Sequence, residues 1–180
     1  MRTNILLVIL CLSSSLWGQD PWKIIATDIR PDHYYGVTVG NGMLGIVSSA
    51  YPFRTDNVVL AGSYDKYGRG RVSNFLNGFN MLNTSVSIDG KTVNCSNISG
   101  FTQTLDMKNA MHTSHFSFGE KADVTYSYLA LRQLPYCALL VVDVNPKSDL
   151  TLSAVNIQEI PDAFRDGQMY YNEINRRHAS

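Results

Sequence analysis

Val124-Thr125-Tyr126-Ser127-Tyr128-Leu129-Ala130-Leu131 alternates with a period of two. Val124, Tyr126, Tyr128 and Ala130 fall on one face, so this is a strand that needs a second layer to cover it. Upstream, Thr113 to Phe118 is rich in strand formers and stops at Gly119-Glu120-Lys121. Val86 and Ile88 alternate up to Asp89-Gly90, a strong hairpin signal. Downstream, Cys137 to Val144 is apolar nearly throughout, which predicts a strand covered on both faces. Asn145-Pro146-Lys147-Ser148 breaks that run, and Leu150 to Ile157 reads as a further strand. No window carries an amphipathic helix longer than about two turns. About nine or ten strands fit between Val37 and Ile157, which predicts an all-β fold, an antiparallel β-sandwich.

Nearer the N-terminus, Tyr34 to Ser49 packs Gly36, Gly40, Gly42 and Gly45 close together and opens into an apolar strand. Gly40-Asn41-Gly42 is turn chemistry, because Gly and Asn tolerate positive φ. Gly45 falls inside the following strand pattern, where glycine marks a bulge or a close backbone approach. A side chain there is expected to crowd the turn. No G-x-G-x-x-G opens a helix and no P-loop follows, so phosphate cradling is excluded here.

Gly40-Asn41-Gly42-Met43-Leu44-Gly45 resembles the Asn-Gly-apolar-Leu-Gly signature of the N-terminal domain of glycoside hydrolase family 65. Ala61-Gly62-Ser63-Tyr64-Asp65, Phe79 to Asn83 with Val86 to Lys91, and Phe101 to Ala110 follow in that family's order. The resemblance covers about residues 22–160. It implies a β-sandwich of the super-sandwich type, incomplete at its C-terminal end here. It also implies a helical linker, an (α/α)₆ catalytic barrel and a small terminal sheet as missing partners. The catalytic glutamate and the phosphate or base positions of the family lie in that barrel. The implied activity is hydrolysis or phosphorolysis of an α-glucoside or oligosaccharide, with no cofactor but with inorganic phosphate as a conceivable co-substrate of the intact enzyme. This chain alone is expected to be inactive. The competing reading is a free-standing secreted carbohydrate-binding module.

Residues 1–19 are predicted to be a signal peptide, 20–160 the sandwich domain, and 161–180 a truncated continuation of it. Arg2 is a basic n-region, Ile5 to Leu12 an apolar h-region, and Ser13 to Ser15 with Gly18 supply small residues for cleavage near Gly18 or Gln19. Eight apolar residues are too few to span a bilayer, so export to the periplasm or medium is expected rather than membrane anchoring. Without Arg2, fourteen basic residues face fifteen acidic ones, a balance that offers nothing to nucleic acid or to an anionic membrane. Cys95 lies in a polar loop and Cys137 in an apolar strand, so an exported pair is present but its pairing is not expected. Asn83, Asn94 and Asn97 begin glycosylation sequons.

Glycoside cleavage needs a protonated acid and a base or nucleophile across one bond. No pair of carboxylates in this sequence has a context that marks it, so no catalytic residue is assigned. His112 and His115 are three apart on a strand and point to opposite faces, a poor metal pair, and no metal ligand is assigned. Both are expected to be surface or hydrogen-bonded strand histidines. His33-Tyr34-Tyr35 and Tyr64-Asp65 with Tyr67 combine rings and polar groups, the chemistry that stacks and hydrogen-bonds a sugar. His33, Tyr34, Tyr35, Asn41, Tyr64, Asp65 and Tyr67 are therefore the candidates for binding carbohydrate or facing the barrel.

Overall fold

The computed structural model describes residues 20–65, 74–77 and 80–157. The expected signal peptide, the continuation over 161–180, and Tyr67 lie outside the described residues. Among those described there are twelve strands and no α-helix. They are β1 (Lys23–Ala26), β2 (Thr38–Gly40), β3 (Leu44–Ser48), β4 (Thr55–Asp65), β5 (Asn74–Asn77) and β6 (Thr84–Ile88). Then follow β7 (Lys91–Thr92), β8 (Ser99–Asp106), β9 (Met111–Phe118), β10 (Ala122–Ala130), β11 (Ala138–Pro146) and β12 (Leu152–Asn156). Pro31–His33 forms a single 3₁₀ turn.

All pairings are antiparallel, and the strands make three sheets. One runs β1-β8-β9-β10-β11, one β2-β3-β4-β5, and a small one β12-β6-β7. The all-β sandwich follows from the alternation already visible in β10, where Ala122, Val124, Tyr126, Tyr128 and Ala130 are all buried. That face packs on β2 and β3. Phe53 is buried between the layers, its ring 4.5 Å from Tyr126 and edge-on to Phe116 at 5.8 Å. It holds φ at 57°, a conformation that costs a bulky residue free energy, offset here by burial of the ring. The opposite face of β9 and β10 is polar. Thr113 bonds Ser127 at 2.9 Å, His115 Nδ1 lies 3.1 Å from Thr125, and Ser117 donates to Asp123 at 2.7 Å.

Several local expectations change. The apolar run from Cys137 is not covered on both faces among the described residues. It forms the edge strand β11, with Leu139, Val141 and Val142 exposed. Such a run reads alike whether a strand is central or at an edge. Strand β1 carried no turn signal and was not expected, yet it pairs with β8 from Lys23↔Asp106 to Ala26↔Gln103. Gly45 pairs in register with Gly40 and Val59, and the slip in β3 falls between Val47 and Ser48. A Cβ on Gly45 would meet nothing nearer than Thr38 Cγ2 at 3.7 Å, an ordinary contact. Close approaches fall instead at Gly36, whose Cβ would collide with the Ser48 carbonyl, and at Gly40, whose Cβ would lie 2.8 Å from the Leu44 carbonyl oxygen. Asp89 and Gly90 both hold positive φ, the hairpin turn that the sequence indicates between β6 and β7. Cys95 and Cys137 are both unpaired thiols. The sequon residue Asn83 is buried and accepts from Thr55 N–H at 2.8 Å.

Candidate functional site

Strands β1, β8, β9 and β10 set Ile24, Leu105, His112 and Tyr128 in one cross-strand row. The segment after β1 climbs over the open end of this row through the 3₁₀ turn. Between them lies a cleft of about 370 Å³. Asp28, Arg30, His33 and Tyr35 are exposed at its rim, while Gln103 and His112 are buried at its floor.

One wall is fixed by a chain of hydrogen bonds. Val37 N–H donates to Ser48 Oγ at 2.9 Å, Tyr34 hydroxyl to Gln103 Oε1 at 2.6 Å, and Gln103 Nε2 to the Ser49 carbonyl at 2.7 Å. Tyr34 O and Ser48 Oγ are 2.7 Å apart. The phenol proton is already committed to Gln103, so the Ser48 hydroxyl donates to Tyr34. Burial raises the Tyr34 pKa above its ordinary value, so the phenol stays protonated near neutrality. Tyr35, next in sequence, is 93% exposed and keeps both ring faces in water.

At the rim, Arg30 Nε reaches both Asp28 carboxylate oxygens at 3.1 Å. These bonds, and then the charge of Arg30, hold the Asp28 carboxyl below the usual range. Asp28 is therefore ionised and its partner occupied. His33 Nε2 lies 3.5 Å from Asp32.

The floor holds what sequence reasoning missed. His112 is 2% exposed, and neither ring nitrogen has a hydrogen-bond partner among the described residues. Its ring stacks on Tyr128 with centroids 6.5 Å apart, and the Tyr128 hydroxyl is also unpartnered. Burial lowers the His112 pKa to about 4, so the imidazole is neutral. This overturns the expectation that His112 is a surface or hydrogen-bonded histidine, whereas His115 is exposed on the opposite face as expected. The only signal in the sequence was its two-residue phase with Ser114 and Phe116.

The structure thus gathers His33, Tyr34 and Tyr35 at one cleft, whereas Asn41 lies outside its lining. Asn41 is a brace in the β2–β3 hairpin. Its Oδ1 accepts from the N–H groups of Met43 and Leu44 at 2.9 and 2.8 Å. Its Nδ2 donates to the Leu131 and Pro135 carbonyls at 2.8 and 2.9 Å. Asn41→Ala should cost about 2 kcal/mol, since it removes the acceptor of two turn N–H groups and the donor to two carbonyls at once. A denaturant midpoint equal to wild type would show that water replaces these bonds. Tyr64 and Asp65 pair through their backbones with Phe75 and Asn74. Their side chains lie outside what the structure describes.

The remaining acidic clusters are structural. Asp89 bonds Lys121 and the Thr151 N–H, Asp106 caps the turn at Asn109, and Asp123 takes Lys147 at 2.8 Å. Among the described residues no three His, Cys, Asp or Glu side chains group as metal ligands. In the cleft itself, Asp28 is ionised and paired with Arg30, and Tyr34 is protonated and pinned to Gln103.

Residues 36–180 match the family model for the glycosyl hydrolase family 65 N-terminal domain. A kojibiose hydrolase of Mucilaginibacter mallensis is 51% identical over 161 residues, covering 89% of this chain and 24% of that protein. One from Flavobacterium johnsoniae is 43% identical over 173 residues, covering 96% of this chain and 25% of its own length. The chain spans about a quarter of the length of these curated relatives. A solved structure described as a kojibiose phosphorylase from the human microbiome superposes with a TM-score of 0.59 at 14% identity. It covers 75% of this chain and 21% of that one, and it shows likeness of fold alone.

Proposed function

The chain belongs to glycosyl hydrolase family 65, in the part that forms the N-terminal domain, and from that membership we propose that it is the non-catalytic β-sandwich of an exported enzyme that hydrolyses kojibiose. The observation that carries this reading is the 51% and 43% identity, along nearly the whole chain, to two kojibiose hydrolases. Hydrolysis is preferred over phosphorolysis because the phosphorylase likeness is one of fold at 14% identity. Water is then the acceptor, and inorganic phosphate is not needed as co-substrate. The catalytic acid and base belong to a helical barrel that this sequence does not include. Export is supported by Arg2 and the Ile5 to Leu12 run.

One experiment addresses activity and export together. The sequence, joined to the catalytic remainder of the Mucilaginibacter relative, is expressed in a bacterial host. The exported fraction should release glucose from kojibiose in phosphate-free buffer. Mass spectrometry of that fraction should find the N-terminus near Gln19 or Asp20. The chain without the added portion should release none. Turnover that requires phosphate would replace hydrolysis by phosphorolysis. Turnover by the chain alone would overturn the non-catalytic assignment, and retention of Met1 or Arg2 would overturn export.

A further inference from the structure

We propose that strand β11 is a docking edge, at which the remainder of the enzyme adds a strand and covers both of its faces. This rests on the reading that the chain is one part of a longer enzyme, and it locates the joint at a single strand.

Four observations point there. First, β11 is the long edge. Among the described residues the outer strands of the three sheets are β1, β11, β2, β5, β12 and β7. Strand β11 has nine residues, whereas the others have two to five. A short edge offers little to an incoming strand, but a long regular one is a template for pairing. Second, β11 lacks the usual guards. Its register with β10 runs from Ala122↔Pro146 to Ala130↔Ala138 without a slip, so no bulge twists it away. It holds no lysine, its one charge is Asp143, and its one proline is at the last position. Third, both faces are apolar and open. Leu139 and Val141 are exposed on the outer face. Val142, across from buried Tyr126, is exposed on the core face. A strand apolar on both faces belongs inside a sheet with a layer on either side. Fourth, a groove of about 570 Å³ lies beside the start of β11, lined by Leu44, Leu60, Met81, Tyr136 and Ala138 among others. A strand added to β11 turns every second side chain towards the core layer, where that groove lies.

The occupant is the enzyme's own remainder rather than a second copy. A second copy laid edge to edge would pair the backbone of β11 and leave its faces open, whereas a folded continuation closes all three. The matched portion is 24% and 25% of the two kojibiose hydrolases, which leaves most of each enzyme to supply that cover.

Hydrogen exchange read by mass spectrometry tests the edge. The full chain is compared with the chain joined to the remainder of the Mucilaginibacter relative, and with that relative intact. In an antiparallel edge strand, alternate N–H groups point away from the neighbour. Over residues 138–146 these should exchange at once in the chain at low micromolar concentration. In the joined protein, and at the matching strand of the intact relative, they should exchange at least about tenfold more slowly. Val141→Lys places a charge where the chain alone is wet. It should shift the melting temperature of the chain by less than about 2 °C and lower that of the joined protein by about 5 °C or more. Open β11 amides in the joined protein or the intact relative would overturn the proposal, as would equal effects of Val141→Lys in both proteins. Slow exchange in the chain alone that strengthens with concentration would make a second copy the occupant and overturn it too. Slow exchange at every concentration would show that the edge is already closed, with the same result. No readout includes glucose release. A joined protein inactive on kojibiose but protected at β11 would therefore defeat the hydrolase reading and keep the docking edge.

Discussion

Gly36→Ala should lower the stability of this domain by about 3 kcal/mol, with a fall in melting temperature of about 10 °C. The added Cβ would collide with the carbonyl of Ser48 and lie 2.8 Å from Val47 Cγ1. A carbonyl in the ladder cannot swing aside as a side-chain tip can. Ser48 N–H donates to the Val37 carbonyl at 2.9 Å, and Ser48 Oγ accepts from Val37 N–H, so any retreat breaks a reciprocal pair. The same movement loosens the hydroxyl chain that holds Tyr34 and Gln103. Gly45→Ala is the matched control. Its Cβ would make only ordinary contacts, so it should change stability by less than about 1 kcal/mol. Equal melts for wild type and Gly36→Ala would show that the chain entering β2 is not held against β3.

The second large effect is with pH. The His112 pKa falls from an ordinary 6.5 to about 4 on folding, because burial disfavours the charged ring. Below pH 6.5 the unfolded chain takes up a proton that the folded chain refuses, so stability falls as pH falls. The contribution is complete above pH 6.5 and lost by about pH 4. It amounts to about 3 kcal/mol at 1.36 kcal/mol per pKa unit. Tyr128 faces the ring from β10, and Tyr34, His33 and the Asp28–Arg30 pair share the cleft. Asp28, Asp89, Asp106 and Asp123 have folded pKa values lowered by their partners, so their contributions vanish only as pH falls through those lower values. The two windows therefore separate. In urea titrations from pH 7 to 4, wild type should lose stability steadily while His112→Phe stays nearly flat. Parallel curves for the two proteins would mean that His112 is solvated in the folded state.

Much of the architecture is legible in the sequence because a two-residue alternation survives wherever one face is wet. Strands β9 and β10 carry polar Thr113, His115, Thr125 and Ser127 between buried partners, and their register reads directly. The apolar run of β11 holds no such phase, so its edge position is not readable. Strand β1 is four residues long and depends wholly on β8 for its existence. The glycine constraint was misplaced for a related reason. Gly45 lies within the visible motif, but the collision at Gly36 arises between segments twelve residues apart that only the hairpin brings together. Of the proposed ligand-facing residues, His33, Tyr34 and Tyr35 share a cleft because they are consecutive. Asn41 looks the same in sequence but spends all its polar atoms on backbone groups. The buried, unpartnered state of His112 is a property of the layer above it and has no local signature.

The pairing of β1 with β8 also has a consequence in time. Lys23 meets Asp106 only after about eighty further residues have been made. At roughly 5–20 residues per second, the ribosome needs on the order of ten seconds to deliver that partner. For that interval Trp22, Ile24 and Ile25 have no sheet to join, and the cleft floor does not yet exist. Strand β1 is thus made long before its partner and docks late, and until then its apolar side chains are open to a holding chaperone.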